Sequence, residues 1–308
     1  MSPETMSQKL WWTWLRDRSK DICLLALDEV HCLTTWGTSF REEYRKVPSV
    51  RGVLNCPVLM LTATATEAMV DEIIADLHLS NVEVVSVLPN RPNIHLQVRR
   101  ATSDLSEELG WLVSHLKKGG KDAGRTLIYC RTINTVYQVW GWLMKQLGTS
   151  AWTEEPHTVR NRIVDMYHGQ TDDQSQKREL EGFTQSDSCL RCVVATNAFG
   201  MGVQVDDVRY VIHWGPSKDV LSYWQEVGRC ARDGQDGHAI MYVFPHSLNA
   251  KFINADMITL VRNCTGNKCI RKQVLEHLFV KGMDRSGLAT ACNLEHGCCS
   301  NCDDTCKS

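Results

Sequence analysis

Two adjacent carboxylates, Asp28 and Glu29, follow the apolar run of residues 22–27, and His31 lies two positions further on. Such a run is typical of a buried parallel strand, which delivers the residues after it to the carboxyl edge of a sheet, where α/β folds bind ligands. In a nucleoside triphosphatase, Asp28 would hold Mg²⁺ and Glu29 would polarise the attacking water, because phosphoryl transfer depends on positioning and charge neutralisation. His31 would report the state of that site to its neighbours. The alternative interpretation is an acidic strand end with one solvated histidine.

Two aromatic residues, Trp36 and Phe40, come shortly after the acids. Aromatic side chains exposed on a loop beside a phosphate site suit stacking on unpaired bases, which is worth ~1 to 3 kcal/mol per base. With this continuation, the segment 28–44 resembles the acidic box of the RecQ family of DNA helicases. In that family the box runs into an aromatic-rich loop that couples DNA contact to ATP hydrolysis. The resemblance therefore implies that Trp36 and Phe40 contact DNA.

Two further segments resemble RecQ motifs that touch DNA. Residues 61–65, Leu-Thr-Ala-Thr-Ala, resemble the third motif, in which small hydroxyl residues such as Thr62 and Thr64 bridge the acids and the DNA groove. The alternative is a plain strand-to-helix N-cap. The end of the apolar segment 126–130 resembles the fourth motif, which implies a contact between Arg131 and the DNA backbone.

A glycine-containing segment, Ala-Phe-Gly-Met-Gly, follows the apolar run of residues 192–196. Glycines let the backbone approach a phosphate or a DNA strand closely. A lone Gly-x-Gly is weak, but the longer pattern resembles a RecQ motif. This resemblance implies a nucleotide-binding role for Gly200 and Gly202, together with Gln225 further along the chain.

Two arginines, Arg229 and Arg232, lie three positions apart on a predicted helical turn and therefore point the same way. Across the cleft between two lobes they would meet a γ-phosphate, a contact worth ~10³ to 10⁵ in rate in phosphoryl transfer. The alternative is a surface Arg-Asp pair, which contributes at most ~1 kcal/mol. Ala231 stands where the family has a glycine, and alanine costs ~1 kcal/mol or more if that position needs a positive φ.

Five of the fourteen cysteines lie between residues 292 and 306, a crowding that indicates metal rather than disulfides. Cys299 and Cys302 have the spacing of a structural zinc knuckle, and Cys269 with Cys292 would complete a four-thiolate Zn²⁺ site. The arrangement resembles the zinc-binding module of RecQ helicases. Two alternatives stay open, because Cys298 can replace Cys299 and Cys306 can replace Cys292.

The arrangement of predicted strands and helices favours an α/β fold with RecA-like parallel sheets, namely a partial first lobe, a complete second lobe and a small helical zinc module. Strands are predicted over residues 58–61, 82–87, 126–130, 192–196 and 210–213. Asn90-Arg91-Pro92-Asn93 resembles the link between the RecQ lobes. We therefore predict domains over 1–92, 93–245 and 246–308.

Composition sets limits on partners and location. The 308-residue chain has a net charge of −2, so no global basic field draws it to nucleic acid and any backbone contact must come from local patches. No apolar run approaches membrane-spanning length, so no membrane partner is predicted. Charged residues interrupt the first twenty positions, which excludes the apolar core of a signal peptide there. We expect an intracellular protein, and the resemblance implies the nucleus.

One expected element is missing from the sequence. The phosphate-binding pattern Gly-x-x-x-x-Gly-Lys-Ser/Thr is absent, since Gly119-Gly120-Lys121-Asp122 has the wrong glycine spacing and an acid in place of the hydroxyl. The resemblance implies an ATP- and Mg²⁺-dependent 3′-to-5′ DNA helicase of DNA repair and recombination, acting on single-stranded and partly duplex DNA, here as an incomplete and inactive chain. The first alternative is a non-catalytic protein that binds or anneals single strands. The second is a related RNA helicase, against which the aromatic loop and the cysteines argue.

Overall fold

The computed structural model describes Thr5 and residues 8–34, 47–199, 204–266, 268–291 and 297–306. The chain divides into two compact units. Unit 1 contains Met1–Pro89 and Leu275–Arg285, and unit 2 contains Asn90–Val274 and Ser286–Ser308. Residues 246–308 therefore contribute to both units. The predicted three-domain division stays a proposal.

Unit 1 contains a parallel pair of short strands, β1 (Leu25–Leu27) and β2 (Val58–Met60), in which Leu25 lies opposite Val58. Its helices are α1 (Lys9–Asp17), α2 (Val47–Val53) and α3 (Glu67–Asp76), with a 3-10 turn at Val30–Leu33. A small core joins the helices to the strands and consists of Leu15, Val50, Leu54 and Cys56.

The strand predicted at residues 82–87 is wrong, because this described segment has no regular structure. Val85 and Val87 are 88% and 82% exposed. Valines favour strands only where a neighbouring strand and a packed face are available, and this segment has neither.

Unit 2 contains a six-stranded parallel sheet in the order β3-β8-β7-β4-β6-β5. Its strands are β3 (Ile94–Arg100), β4 (Arg125–Cys130), β5 (Val164–Tyr167), β6 (Cys192–Ala195), β7 (Val208–Trp214) and β8 (Gly237–Val243). Every residue of β4 and β6 is buried, as expected for central parallel strands. The predicted parallel α/β class is confirmed.

The sheet strands alternate with the helices α4 (Leu105–Gly119), α5 (Ile133–Leu147), α6 (Asp173–Thr184) and α7 (Val220–Val227). Side-chain caps define where these helices begin: Asp104, Thr132, Asp172 and Asp219 each accept a hydrogen bond from a backbone N–H of the first turn. Each of these helices follows the carboxyl end of a strand, and the loop between β4 and α5 carries Arg131.

Four further helices follow the sheet: α8 (Ala255–Cys264), α9 (Ile270–His277), α10 (Ser286–Thr290) and α11 (Ser300–Cys306). Within unit 2, α11 lies against β3, where the side chains of His95 and Asp303 pair at 2.9 Å. Among the helices that the structure describes, none combines the length and the apolar character needed to cross a bilayer.

Candidate functional site

The acidic box lies at the carboxyl end of the parallel pair in unit 1. The Leu61 amide donates to the Leu27 carbonyl at 2.9 Å, and the Val30 amide donates to the Leu61 carbonyl at 3.0 Å. These bonds bring the two strand ends together. Asp28 and Glu29 are exposed there, and the Glu29 amide donates to Asp28 Oδ1 at 2.9 Å. Glu29 has a left-handed backbone with φ of 49°, which turns the chain sharply away from the strand.

His31 connects this box to the next motif. Its side chain is only 4% exposed, and Nδ1 lies 3.0 Å from Thr62 Oγ1 and 3.2 Å from Glu29 Oε2. Thr62 already donates its hydroxyl proton to the Thr64 carbonyl at 2.9 Å. Since both oxygens near Nδ1 must therefore accept, the network assigns the proton to His31 Nδ1. The alternative of a solvated histidine is wrong.

The segment Thr62 to Thr66 also begins α3. Thr66 is the N-cap, and its side chain accepts from the Met69 amide at 3.3 Å. Thr62 is not part of that cap, because its hydroxyl lies against His31 Nδ1 and donates to the Thr64 carbonyl. The N-cap interpretation is thus confirmed for Thr66, and the DNA-bridging role of Thr62 and Thr64 stays a prediction.

Four of the predicted nucleotide- and DNA-binding residues lie outside the described residues. They are the aromatic pair of the acidic-box loop and two glycines, namely Trp36, Phe40, Gly200 and Gly202. Their predicted roles stay predictions.

In unit 2, α7 and the turn after it carry Gln225, Arg229 and Arg232. Gln225 and Arg229 are half-buried, whereas Arg232 is exposed and its Nε donates to the Gly228 carbonyl at 3.2 Å. Asp233 pairs with Arg209 at 3.0 Å, so this acid is neutralised from strand β7. Asp233 therefore pairs with Arg209 on β7 and not with its sequence neighbour Arg232. This pairing differs from the surface Arg-Asp pair of the alternative interpretation.

A buried tyrosine lies beside the first arginine. Tyr129, at the end of β4, donates its hydroxyl to the Phe199 carbonyl at 3.1 Å and stacks on His213 with ring centroids 5.5 Å apart. Burial raises the pKa of Tyr129 above its ordinary value, and the opposing effect of Arg229 is smaller. Tyr129 therefore stays neutral and keeps the hydroxyl proton that it donates to the Phe199 carbonyl.

Sequence reasoning missed Glu226, which directly follows Gln225 on α7. Glu226 Oε2 accepts from Ser217 Oγ and lies 3.0 Å from His213 Nε2, and His213 is 1% exposed. These contacts fix the helix against β7. The acid in Gln-Glu-x-Gly-Arg was the available signal, because an acid on an otherwise apolar helix face must find a buried partner.

Ala231 has a φ of +49°, so the position does require a left-handed backbone. The side chain is completely buried. Its amide donates to the Val208 carbonyl at 2.8 Å, and its carbonyl accepts from Arg91 and Asn93, each at 2.9 Å. These hydrogen bonds hold an alanine in a conformation that costs it ~1 to 2 kcal/mol.

We expect Ala231→Gly to leave the free energy of unfolding within ~1 kcal/mol of the parent. Relief of the backbone penalty is offset by the lost methyl burial of ~0.8 kcal/mol and by the ~0.5 to 1 kcal/mol that glycine loses in chain entropy. Ala231→Val should instead lower the free energy of unfolding by more than ~2 kcal/mol. A branched side chain would overpack this buried position and would also strain the left-handed backbone. Urea denaturation of the three proteins measures both changes. A fully stable valine variant would contradict the assigned conformation.

Arg131 follows the end of β4. Its Nη1 donates to the Ser247 carbonyl at 3.3 Å, and its guanidinium lies 5.2 Å from the centre of the Phe252 ring. Phe252 is 54% exposed. Arg131 and Phe252 thus place one cation beside one partly exposed aromatic ring. Such a combination suits contact with a nucleic acid.

The thiols of Cys269, Cys298, Cys299 and Cys302 lie within 4.8 Å of one another, and we call them the cysteine cluster. Neighbouring sulfurs are 3.5 to 4.0 Å apart. A tetrahedral zinc site with Zn–S bonds of about 2.3 Å places its sulfurs about 3.8 Å apart. Hydrogen bonding with Cys269 and Cys299 raises the pKa of the Cys298 thiol, an effect that a bound cation reverses.

The structure brings Cys298 into the position for which the spacing favoured Cys292. Cys292 lies outside the described residues, as does the side chain of Cys306. The spacing suggested Cys298 only as a replacement for Cys299. In the structure both of these adjacent cysteines belong to the cysteine cluster.

Comparison with known proteins identifies the family of the chain. Residues 107–234 match the family described as the helicase conserved C-terminal domain. The ATP-dependent helicase wrn-1 of Caenorhabditis elegans is 33% identical over 253 residues, which are 81% of this chain and 22% of that protein. The ATP-dependent DNA helicase RecQ of Synechocystis sp. is 32% identical over 251 residues, 79% of this chain and 48% of that protein. The chain belongs to the RecQ helicase family.

This RecQ-family chain spans less than half the length of those two relatives. Among solved structures, the DUF1998 helicase MrfA bound to DNA is similar to this chain, with a TM-score of 0.63 at 16% sequence identity. The match covers 95% of this chain and 39% of the MrfA chain. Dbp5 of S. cerevisiae, bound to RNA and ADP BeF3, has a TM-score of 0.56 at 17% identity, with coverages of 85% and 67%. These neighbours confirm the helicase fold.

Proposed function

We propose that this chain works as part of a RecQ-type ATP-dependent DNA helicase that moves 3′ to 5′ in DNA repair and recombination. The observation that carries the proposal is the contact between His31 and Thr62, because it joins the acidic box to the hydroxyl-rich motif through a buried side chain. A change at exposed Asp28 or Glu29 would reach the DNA-binding segment through that contact.

The roles follow from the chemistry of the residues. Asp28 would hold Mg²⁺ and Glu29 the attacking water, with His31 as their link to the DNA motif. Arg229 and Arg232 would meet the γ-phosphate of ATP. The remaining nucleotide contacts are assigned to Gln225, Gly200 and Gly202. The DNA contacts are assigned to Trp36, Phe40, Thr62, Thr64 and Arg131.

The cysteine cluster supports a structural role for Zn²⁺, since four thiols at these separations suit its tetrahedral coordination. The same cluster favours a RecQ-type DNA helicase over an RNA helicase, which the shared fold alone does not separate. We assign the protein to the nucleus and retain the domain division 1–92, 93–245 and 246–308. Imaging of the tagged protein in cells tests the location.

A non-catalytic protein that binds or anneals single strands is the second candidate. It is favoured by one observation, the absence of Gly-x-x-x-x-Gly-Lys-Ser/Thr from the 308 residues. Both candidates require contact with unpaired DNA, and only the helicase requires ATP turnover.

DNA contact by the aromatic loop is tested with the double variant Trp36→Ala, Phe40→Ala. We expect its dissociation constant for a fluorescent single strand to rise at least about tenfold at matched salt, because each stacked base contributes ~1 to 3 kcal/mol. Trp14→Ala is the control, since Trp14 is a 47% exposed tryptophan on α1. Equal affinities of parent and double variant would remove the loop from the DNA site.

The direction of movement along DNA can be measured only on a protein that hydrolyses ATP. A fusion that places a RecQ phosphate-binding segment ahead of Met1 should unwind a duplex with a 3′ single-stranded tail and leave a 5′-tailed duplex intact. Unwinding of the 5′-tailed substrate alone would reverse the proposed direction, and annealing without unwinding would favour the second candidate.

A further inference from the structure

Arg271 is a completely buried arginine two residues after the first cysteine of the cluster. Its guanidinium donates to Asn90 Oδ1 at 3.1 Å, to the Arg91 carbonyl at 2.7 Å and also to the Ile94 carbonyl. Residues 90–94, which we call the linker, are therefore held at both ends by one side chain. A buried cation is costly unless its donors are satisfied, so these oxygens are a requirement of the fold.

The same guanidinium reaches the cysteine cluster. Its Nη2 donates to the Cys298 carbonyl at 3.1 Å, and the Leu96 amide donates to that carbonyl at 3.3 Å. The peptide that carries one cluster thiol is thus attached both to Arg271 and to β3. Any loosening of Cys298 withdraws an acceptor from Arg271 and a partner from the strand that continues the linker.

The linker in turn holds the arginine turn, by which we mean residues 228–234. Arg91 donates to the Gly228 carbonyl at 3.2 Å and to the Cys230 and Ala231 carbonyls at 2.9 Å each. Three carbonyls of the turn after α7 are thereby satisfied by one side chain.

Asn93 adds a second hold on the arginine turn. Its side-chain amide donates to the Ala231 carbonyl at 2.9 Å and to the Gln235 carbonyl at 2.8 Å. The left-handed Ala231 is therefore fixed from the linker, and Arg229 and Arg232 lie on either side of it.

We infer that Arg271 and Arg91 are positioning residues that tie the cysteine cluster to the arginine turn, so that occupancy of the cluster by Zn²⁺ keeps Arg229 and Arg232 ordered. The inference rests on the proposed zinc site and on the proposed role of the two arginines. Every contact in the connection lies within unit 2. Arginine is required at both positions, because lysine has no fork of donors to serve three or four acceptors.

Hydrogen exchange of the arginine turn tests the connection. The informative amides are Ala231, which donates to the Val208 carbonyl at 2.8 Å, and Asp233, which donates to the Asp206 carbonyl at 3.0 Å. Removing Zn²⁺ from the parent with a chelator should raise their exchange rates about tenfold, since local opening controls exchange. Amides of β4, at the centre of the same sheet, should change less than about twofold.

Two variants separate positioning from general stability. Arg91→Lys with Zn²⁺ bound should show the same increase at the arginine turn, and chelation should then add little there, because the connection is already broken. Arg271→Lys should behave likewise. The control is Arg262→Lys, which alters an exposed arginine on α8.

Zinc affinity gives the reciprocal measurement. If the cluster stabilises the turn, the turn stabilises the cluster by the same factor. Chelator competition should therefore show affinity for Zn²⁺ about tenfold lower in Arg271→Lys, the size expected for lost hydrogen bonds from a charged group. Arg91→Lys should lower it severalfold, although Arg91 contacts none of the four thiols through its side-chain bonds described above.

Three outcomes would overturn the inference: unchanged exchange at the turn after chelation, an equal increase in β4, or fully additive effects of chelation and Arg91→Lys. Neither measurement uses ATP or DNA. Failure of the fusion with a phosphate-binding segment to unwind DNA would therefore count against the proposed function and leave this test unaffected.

Discussion

Removal of Zn²⁺ is expected to unfold the segment around the cysteine cluster while the six-stranded sheet of unit 2 remains folded. Structural zinc contributes ~10 to 16 kcal/mol in small metal-binding modules, which is comparable with the ~5 to 15 kcal/mol that stabilises an ordinary domain. The short helix α11 carries Cys302, and its neighbour Cys298 is completely buried. Without the metal, so short a segment lacks an apolar core large enough to hold it.

The measurement has two parts. Elemental analysis of the purified chain should give one zinc per molecule, and a chelator should then expose the amides of residues 297–306 to exchange. Circular dichroism should retain most of its signal, because the sheet and helices α4 to α7 do not depend on the metal. Purified protein without zinc would refute the prediction.

Two matched substitutions identify the fourth ligand. Cys298→Ser is expected to weaken zinc binding by at least about a hundredfold, since it removes one of four thiolates from a site whose binding energy is the folding energy of the module. Cys292→Ser should change the affinity little. The opposite result would restore the assignment of Cys292 that the sequence spacing favoured.

The cysteines show which members of a metal-binding cluster can be predicted from their spacing in the sequence. Cys299 and Cys302 were identifiable because two residues between ligands is a spacing set by tetrahedral geometry. Adjacent thiols such as Cys298 and Cys299 are different, because a small change in backbone angles decides whether one or both face the metal. The structure turns both inward, and no property of the sequence fixes that turn.

The sheet strands were predictable where burial is complete. The strands β4 and β6 read as continuous apolar runs because both faces are covered. The same reasoning failed for Val85 and Val87, which are exposed and have no strand partner. Apolar β-branched residues indicate a strand only when the rest of the chain supplies a neighbour, and a local window does not contain that information.

Positioning residues were the least predictable part of the site. Arg271 and Lys272 are adjacent basic residues, and their charge favours exposure of both side chains. The structure buries Arg271 and exposes Lys272. Arg91 likewise lies in a linker, yet it satisfies three carbonyls of a turn about 140 residues away. Such contacts depend on how distant segments meet, whereas the roles predicted for Asp28, Glu29 and Arg229 rest on local motifs.

The 308-residue chain is expected to hydrolyse ATP far below the range of ordinary enzymes, with or without DNA. Asp28 and Glu29 lie exposed at the end of β1, where they suit binding of Mg²⁺ and water. The sequence, however, contains no glycine-rich loop with a lysine to hold the β- and γ-phosphates. Positioning of reactants accounts for ~7 to 11 kcal/mol of a barrier, so the loss exceeds that of any single substitution considered above.

The test is DNA-stimulated release of phosphate by the purified chain, with Glu29→Gln as the matched control. Glutamine keeps the size of the side chain and removes the charge that would polarise water, while Asp28 and the buried His31 stay in place. We expect the parent and the variant to be indistinguishable and both to turn over far more slowly than about 1 s⁻¹, the lower end of typical enzyme rates. Zinc content and single-strand binding, measured on the same preparation, show that the protein is folded.

A DNA-dependent rate of about 1 s⁻¹ or faster in the parent that disappears in Glu29→Gln would contradict the prediction. The chain would then possess a phosphate-binding arrangement without the usual glycine-lysine loop, and Glu29 would be its catalytic carboxylate. A fast rate that persists in Glu29→Gln would instead indicate a contaminating ATPase, because the water-polarising group is missing from the variant. The expected result, single-strand binding without turnover, agrees with both candidate functions and leaves the place of the chain in the RecQ family unchanged, and the fusion described above is the experiment that separates the two.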